Sequence, residues 1–331
     1  MKIPILEDIK QAQVRLRGMT VRTPLIRSYT LSERMNAMVF LKPENLQRTG
    51  SFKFRGAYNA VSQLTEMERE RGVLATSSGN HAQGIAEAAR LLGVAATIIM
   101  PSDAPDVKIA RTKASGAEII LFDRKTDDRD ERARLEIEKT GAAYIHPYNN
   151  ANVIAGQGTV GMEIVEDLKA QNLVPDNVLV CTGGGGLTAG IALACGSAFP
   201  ATRIFATEPE GFDDYARSLA SGKMERNAQT SGSVCDAILT PSPGDIGFEI
   251  NRKRLAGGLT VSDQEALEAV RFCFEQHRMV VEPGGAVTLA ALLSGKLEAH
   301  LGDLRGQIIV VTLSGGNIDE NVFRRALARR S

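Results

Sequence analysis

Lys53 stands between two phenylalanines in RTGSFKFRGAYNA, residues 48–60. A lysine in that setting has two chemistries open to it. Its stem can pack while its ammonium stays in water. Alternatively, the apolar bracket can hold the head group out of water and favour the neutral amine. A neutral amine attacks an aldehyde, which is the requirement for a Schiff base. Ser51 is placed to cap a helix whose apolar positions include Phe54, Tyr58, Val61 and Leu64. The positive end of that helix would also disfavour the charged form. Arg55 is read as a solvated or ion-paired neighbour.

A second constellation is NVLVCTGGGGLTAGIALA, a strand, four glycines and a helix. Without Cβ atoms, Gly183 to Gly186 can close their N–H groups around an anion at the helix N-terminus, and phosphate is the expected anion. A plain tight turn is the simpler reading. Gly184, Gly186 and Ala189 also satisfy G-x-G-x-x-A, and Glu208 ends the next strand, as a dinucleotide fingerprint requires. On the glycine loop alone, a nicotinamide cofactor and a smaller phosphorylated cofactor both stay open.

The elements that must position these residues alternate between strand and helix. Strands are expected at 37–43, 72–77, 95–101, 117–122, 142–147, 177–182, 203–208 and 307–314. Helical patterns occupy 53–70, 81–93, 106–115, 127–140, 152–171, 187–198, 263–279 and 284–300. The alternation predicts an α/β protein with two open, twisted, largely parallel sheets, each covered by helices on both faces. Residues 69–149 would form a small domain. Residues 1–68 and 150–331 would form a larger, discontinuous one. Active sites in such folds lie where strand ends meet helix N-termini. Three strands here end in polar, glycine-bearing loops: TSSGNH (76–81), TGGGGLT (182–188) and LSGGN (313–317).

Composition narrows the function classes. The 331 residues carry 39 Lys+Arg against 39 Asp+Glu, so no basic surplus points to nucleic acid or an anionic membrane. There is no Trp, which weakens base stacking further. Cys181, Cys195, Cys235 and Cys273 lack metal-ligand spacing and suit a reduced, cytoplasmic state. No apolar run approaches a membrane span, and the N-terminal stretch has no apolar signal core.

KPENLQRTGSFKFRGA (42–57), SSGNHAQG (77–84), GGGGL (183–187), EPGGA (282–286) and LSGGN (313–317) occur in an order that resembles pyridoxal-phosphate (PLP) enzymes of the tryptophan-synthase-β fold, fold type II. The chain is similar to their serine/threonine dehydratase and serine racemase branch, from VRTPLIRS (21–28) to LSGGNID (313–319). The resemblance implies a role for each matching residue. Lys53 would hold PLP as an internal aldimine, with Phe52 packed on the ring. Gly183, Gly184, Gly185, Gly186 and Leu187 would bind its phosphate. Asn80 would meet the ring hydroxyl, and Ser314 the pyridine nitrogen. Ser77, Ser78, Gly79, Asn80 and His81 would take the substrate carboxylate, although His81 also reads as a locally satisfied helix-start residue. Ser78 has the racemase pattern, in which its hydroxyl works opposite Lys53. Arg129 would approach a second substrate carboxylate, or simply decorate a charged helix face. Glu208, Asp214 and the Phe212 carbonyl resemble a Mg²⁺ or Ca²⁺ loop.

The implied activity is a dehydratase, or ammonia-lyase, that converts a β-hydroxy amino acid to a 2-keto acid and ammonia through an aminoacrylate. Serine, threonine and 3-hydroxyaspartate are the expected substrates. Racemisation of serine or aspartate through Lys53 and Ser78 is the alternative, and a nicotinamide oxidoreductase the distant one. A homodimer is expected. The chain departs from the family at VCDAI (234–238) and the following 239–255, a stretch expected to border the pocket. Because the chain stops at Ser331, no isoleucine-sensing regulatory domain is expected.

Overall fold

A computed structural model of the chain describes residues 2–77, 79–102, 104, 106–123 and 126–328, side chains of residues 106–108, 111 and 130 excepted. Ten strands are present among them: β1 (Ile26–Arg27), β2 (Met38–Pro43), β3 (Val73–Thr76), β4 (Ala96–Pro101), β5 (Glu118–Phe122), β6 (Ala143–Tyr144), β7 (Asn177–Cys181), β8 (Arg203–Pro209), β9 (Gly257–Val261) and β10 (Ile308–Leu313). They form a six-stranded sheet, β1-β2-β10-β7-β8-β9, and a four-stranded sheet, β5-β4-β3-β6. All pairings are parallel except β1 with β2.

Alternate residues of the large sheet feed two cores. Val39, Leu41, Leu179, Ile309 and Val311 pack against the helices Asp263–His277 and Pro283–Leu293. Phe40, Val178, Val180 and Val310 pack on the opposite face, against Ala151–Ala170 and Gly186–Ala198. The small sheet repeats the arrangement, with Val73, Ala75, Ile98 and Met100 on one side and Leu74 and Ile99 on the other. Both faces being dry explains why these strands read as continuous apolar runs. This is the α/β architecture expected from the sequence.

The expected elements are all present, with corrections. The pattern at 53–70 is two helices, Lys53–Val61 and Glu66–Arg71, because Thr65 and Glu68 form a capping box that restarts the turn. The pattern at 284–300 breaks at Gly295, whose φ is 73°. Ser51 does not cap the lysine helix. Its backbone is extended (φ −162°) and bridges to Gly315, and the residue preceding the first helical turn is Phe52.

The lysine helix packs against the helices Asn80–Leu92 and Ala151–Ala170. Phe54, Ala57, Tyr58 and Val61 share a core with Ala82, Ile85 and Ala89 of helix Asn80–Leu92 and with Val153 of helix Ala151–Ala170. Arg55 turns the opposite way, into a fully buried ion cluster. Its Nε and Nη2 donate to the two Glu44 oxygens at 2.8 Å each. Its Nη1 and Nη2 donate to the Glu163 oxygens at 2.7 and 2.9 Å. Lys42 Nζ donates to Glu163 at 2.5 Å and to the Thr23 carbonyl at 2.7 Å. Of the alternatives for Arg55, the ion-paired one is correct, and the pairing is internal.

Candidate active site

The cofactor residues expected from the sequence converge on one cleft. Phe52, Lys53, Asn80, the loop 183–187 and Ser314 all line it, and it encloses ≈ 490 Å³ that is partly open to solvent. Lys53 begins its helix, and its Nζ donates to the Pro147 carbonyl at 3.0 Å. The nitrogen lies 5.1 Å from the Phe52 ring centroid. Burial drives the Lys53 pKa down from 10.5 to about 8, against the opposing pull of the Glu282 carboxylate. At neutral pH a useful share of this amine is therefore neutral.

Backbone bonds hold the lysine loop to the far end of the chain. Phe52 N–H donates to the Ser314 carbonyl at 3.1 Å, and Glu282 N–H donates to the Gly315 carbonyl at 3.0 Å. Asn317 Nδ2 donates to the Thr49 carbonyl and to Asn80 Oδ1, each at 2.8 Å. Asn80 Nδ2 in turn donates to Glu282 Oε1 at 2.6 Å. The Asn80 amide is thus oriented from both ends, with its second N–H left for the cleft.

The glycine loop follows β7 and opens the helix Gly186–Ala198. Gly185 has φ 83°, and a Cβ there would fall 2.2 Å from Tyr215 Oη. A Cβ on Gly184 would fall 2.2 Å from the Tyr148 ring. Both positions need glycine, the first for its left-handed backbone and both for space. N–H groups at a helix start, cradled this tightly, suit a phosphate. The cradle, the amine and the buried polar groups fit a phosphorylated cofactor bearing an aldehyde.

The remaining expected residues are spread more widely. Ser77 Oγ accepts from Gly79 N–H at 3.2 Å, so the carboxylate loop is partly self-bonded. His81 is buried, and its Nε2 donates to the Ile145 carbonyl at 2.8 Å. Burial, reinforced by the Lys53 charge, pushes the His81 pKa down to about 3, so the ring is neutral. That partner is 64 residues away in sequence and the other ring nitrogen, Nδ1, is buried without a partner, so His81 is not a locally satisfied helix-start residue. Ser78 lies outside the described residues. Arg129 is exposed at the start of helix Arg129–Thr140 and does not line the cleft.

Glu208 ends its strand region fully buried, its two oxygens accepting from Tyr215 and Ala216 N–H at 3.0 and 2.8 Å. Glu208 does not line the cleft, so it is out of place to hold a ribose there, which removes the dinucleotide fingerprint. Asp214 is also fully buried, and Phe212 nearly so.

Several lining residues had no assigned role in the sequence reading: Glu282, Tyr148, Gln157, Thr240 and Ile238. Glu282 lies inside EPGGA, a block with no evident acid chemistry. Gln157 had one visible signal, a polar residue between glycines in the apolar run VIAGQGTVG. The expectation that 234–255 borders the pocket is met by Ala237, Ile238 and Thr240. Gly244 N–H also donates to the Gly184 carbonyl, and Asn251 Nδ2 to the Gly185 carbonyl.

Residues 16–315 match the family described as pyridoxal-phosphate dependent enzyme. The chain is 43% identical to an L-threonine ammonia-lyase of Thermotoga maritima, over 97% of this chain and 78% of that one. It is also 43% identical to an L-threo-3-hydroxyaspartate ammonia-lyase of a Pseudomonas species, over 96% and 97%. Among solved structures, maize serine racemase superposes with a TM-score of 0.91 at 34% identity, over 98% and 97% of the chains. The protein belongs to the family of pyridoxal-phosphate-dependent enzymes, in its fold type II branch.

Proposed function

We propose that the protein is an ammonia-lyase that converts a β-hydroxy amino acid of the serine, threonine or 3-hydroxyaspartate class to a 2-keto acid and ammonia. The observation that carries this reading is the Lys53 amine, held near a pKa of 8 beside a glycine cradle. The names of the two ammonia-lyase relatives support the reaction class. PLP, when bound, supplies the electron sink for charge developing at the substrate α-carbon.

The chain's own residues do the rest. Residues 183–187 would anchor the phosphate and Phe52 would pack on the ring. Asn80 would orient it through the ring hydroxyl. Lys53 would accept and carry the α-proton, a task matched to a pKa near the working pH. Ser314 would hydrogen-bond the ring nitrogen without forcing it to stay protonated, which suits elimination. Ser77, Ser78, Gly79 and Asn80 would receive the substrate carboxylate, with the His81 ring fixing the loop's position. Arg129, outside the cleft, would serve a second carboxylate only if helix Arg129–Thr140 moved inward; Arg129→Ala would then lower turnover of hydroxyaspartate selectively over threonine.

Keto-acid release measured across serine, threonine and the hydroxyaspartate stereoisomers tests the assignment. Lys53→Ala should abolish release together with the visible cofactor band. Inverted stereochemistry without keto acid would instead favour a racemase, the reading supported by the likeness to maize serine racemase.

We also propose a structural Mg²⁺ or Ca²⁺ held by Glu208, Asp214 and the Phe212 carbonyl. Asp214 Oδ2 is buried without a hydrogen-bond partner. Burial raises both acid pKa values, Asp214 to about 7, and the Asp214 charge raises that of Glu208 further. Two buried carboxylates that resist ionisation suit a hard cation. Mg²⁺ should raise the melting midpoint of EDTA-treated protein, and Asp214→Asn should abolish that rise. A cytoplasmic homodimer is the proposed state, testable by sedimentation. The four cysteines are buried and unpaired, and no helix among the described residues is long and apolar enough to cross a membrane.

A further inference from the structure

Gln157 lies in the middle of helix Ala151–Ala170 with no exposed surface. Neither its Oε1 nor its Nε2 has a hydrogen-bond partner. Almost every buried side-chain amide in a folded protein is paired, because stranding one costs its desolvation. This one carries two stranded groups and faces the cleft. Oε1 sits 2.8 Å from where a Cβ on Gly186 would be, against the first residue of the glycine-loop helix. A smaller side chain would leave a hole beneath the loop, and an apolar one of equal length would pack without stranding anything.

We propose that Gln157 is a further ligand of the cofactor phosphate, donating a side-chain N–H to an oxygen that the backbone N–H groups of 183–187 do not reach. The loop presents its donors from one side only, that of the helix start. A phosphate has three non-bridging oxygens, each able to accept more than one hydrogen bond. Gln157 approaches from the neighbouring helix and is neutral, so it adds a directional donor without adding charge. The Nε2 group, which has no protein partner, gains one in the loaded protein. Gln157 therefore stabilises the bound state. The proposal rests on the glycine loop holding the phosphate.

The test uses the full chain, freed of cofactor and titrated with PLP and, separately, with pyridoxal, which lacks the phosphate. Wild type should bind PLP much more tightly than pyridoxal. Gln157→Met should weaken PLP binding about ten- to hundredfold, the worth of a hydrogen bond to a charged group. Pyridoxal affinity should change less than about threefold, and the cofactor-free melting midpoint should stay level or rise. Gln157→Glu, isosteric and anionic, should weaken PLP binding further and spare pyridoxal. Equal losses for PLP and pyridoxal, or no loss for PLP in Gln157→Met, would overturn the proposal while leaving the glycine loop intact. Wild type that fails to discriminate PLP from pyridoxal would overturn the phosphate assignment itself, and this proposal with it.

Discussion

Arg55→Met tests the buried ion cluster behind the lysine helix. The substitution preserves much of the side-chain volume and deletes four hydrogen bonds of 2.7–2.9 Å to Glu44 and Glu163. Two carboxylates then share a single ammonium, Lys42, in a site without solvent. Removing one partner from a buried ion pair costs about 3–5 kcal/mol. Adding Glu44→Gln should partly repair the damage. Lys42 and Glu163 then balance, and the introduced amide oxygen can still accept from the Thr23 hydroxyl, which now bonds Glu44 Oε1 at 2.6 Å. The double variant should recover about 1–2 kcal/mol relative to Arg55→Met, the order expected for an unpaired buried charge. Urea unfolding followed by circular dichroism would read this as a higher midpoint at constant slope.

pH supplies a second readout of the same cluster. Burial alone would raise the Glu44 pKa, but the charge and hydrogen bonds of Arg55 hold it below its ordinary 4.5. Wild type therefore keeps that stabilisation above pH 4.5 and loses it as pH falls through the lowered value. In Arg55→Met only burial and Lys42 remain, so the Glu44 pKa rises and its penalty fades in acid. The gap between the two proteins should be widest at neutral pH and narrow below about 4.5. A double variant no more stable than Arg55→Met, with a gap independent of pH, would refute the charge-balance reasoning.

Glu282→Gln should lower the Lys53 pKa below about 8, because the carboxylate is the group that opposes burial there. The rate at which cofactor-free protein combines with pyridoxal should then hold to more acidic pH than in wild type. An unchanged profile would remove Glu282 from the electrostatics of the amine. Gly185→Ala should cost roughly 2–4 kcal/mol of stability, combining left-handed backbone strain with overpacking, since the new Cβ would fall 2.2 Å from Tyr215 Oη. Cofactor retention on dialysis should fall with it; a fully stable, fully loaded variant would show that the loop relaxes freely.

Much of this was legible because the local chemistry and the global fold agree. The apolar runs that become β4, β7 and β10 are dry on both faces and need no partner to be read. The glycine loop declares itself because only glycine satisfies its backbone. By contrast, β9 begins GGLTV, where two glycines hide a strand that exists only through its pairing with β8. Helix Asp245–Asn251 was equally concealed, being short and held by docking on the glycine loop. Ser51 misled because a cap is defined by backbone direction, which the bridge to Gly315 sets from 264 residues away in sequence. Arg55 could not be placed from RTGSFKFRGA, since its partners Glu44 and Glu163 come from different elements. Gln157 stood out only as a polar residue between glycines in an apolar run, which does not say what it faces.

The order of strands in the large sheet bears on how the protein is made. β10, the last strand synthesised, lies between β2 and β7, so both wait for it on their inner edges. Until residue 308 emerges, β2 has only the two-residue β1 beside it, and the loop after it has no Ser314 to receive the Phe52 N–H. Long-range closure of this kind is slow and leaves strand edges open meanwhile. The nascent chain therefore holds its reactive lysine unplaced almost to the end of translation, and a ribosome that stops early releases a chain with an unsealed sheet and no seat for its cofactor.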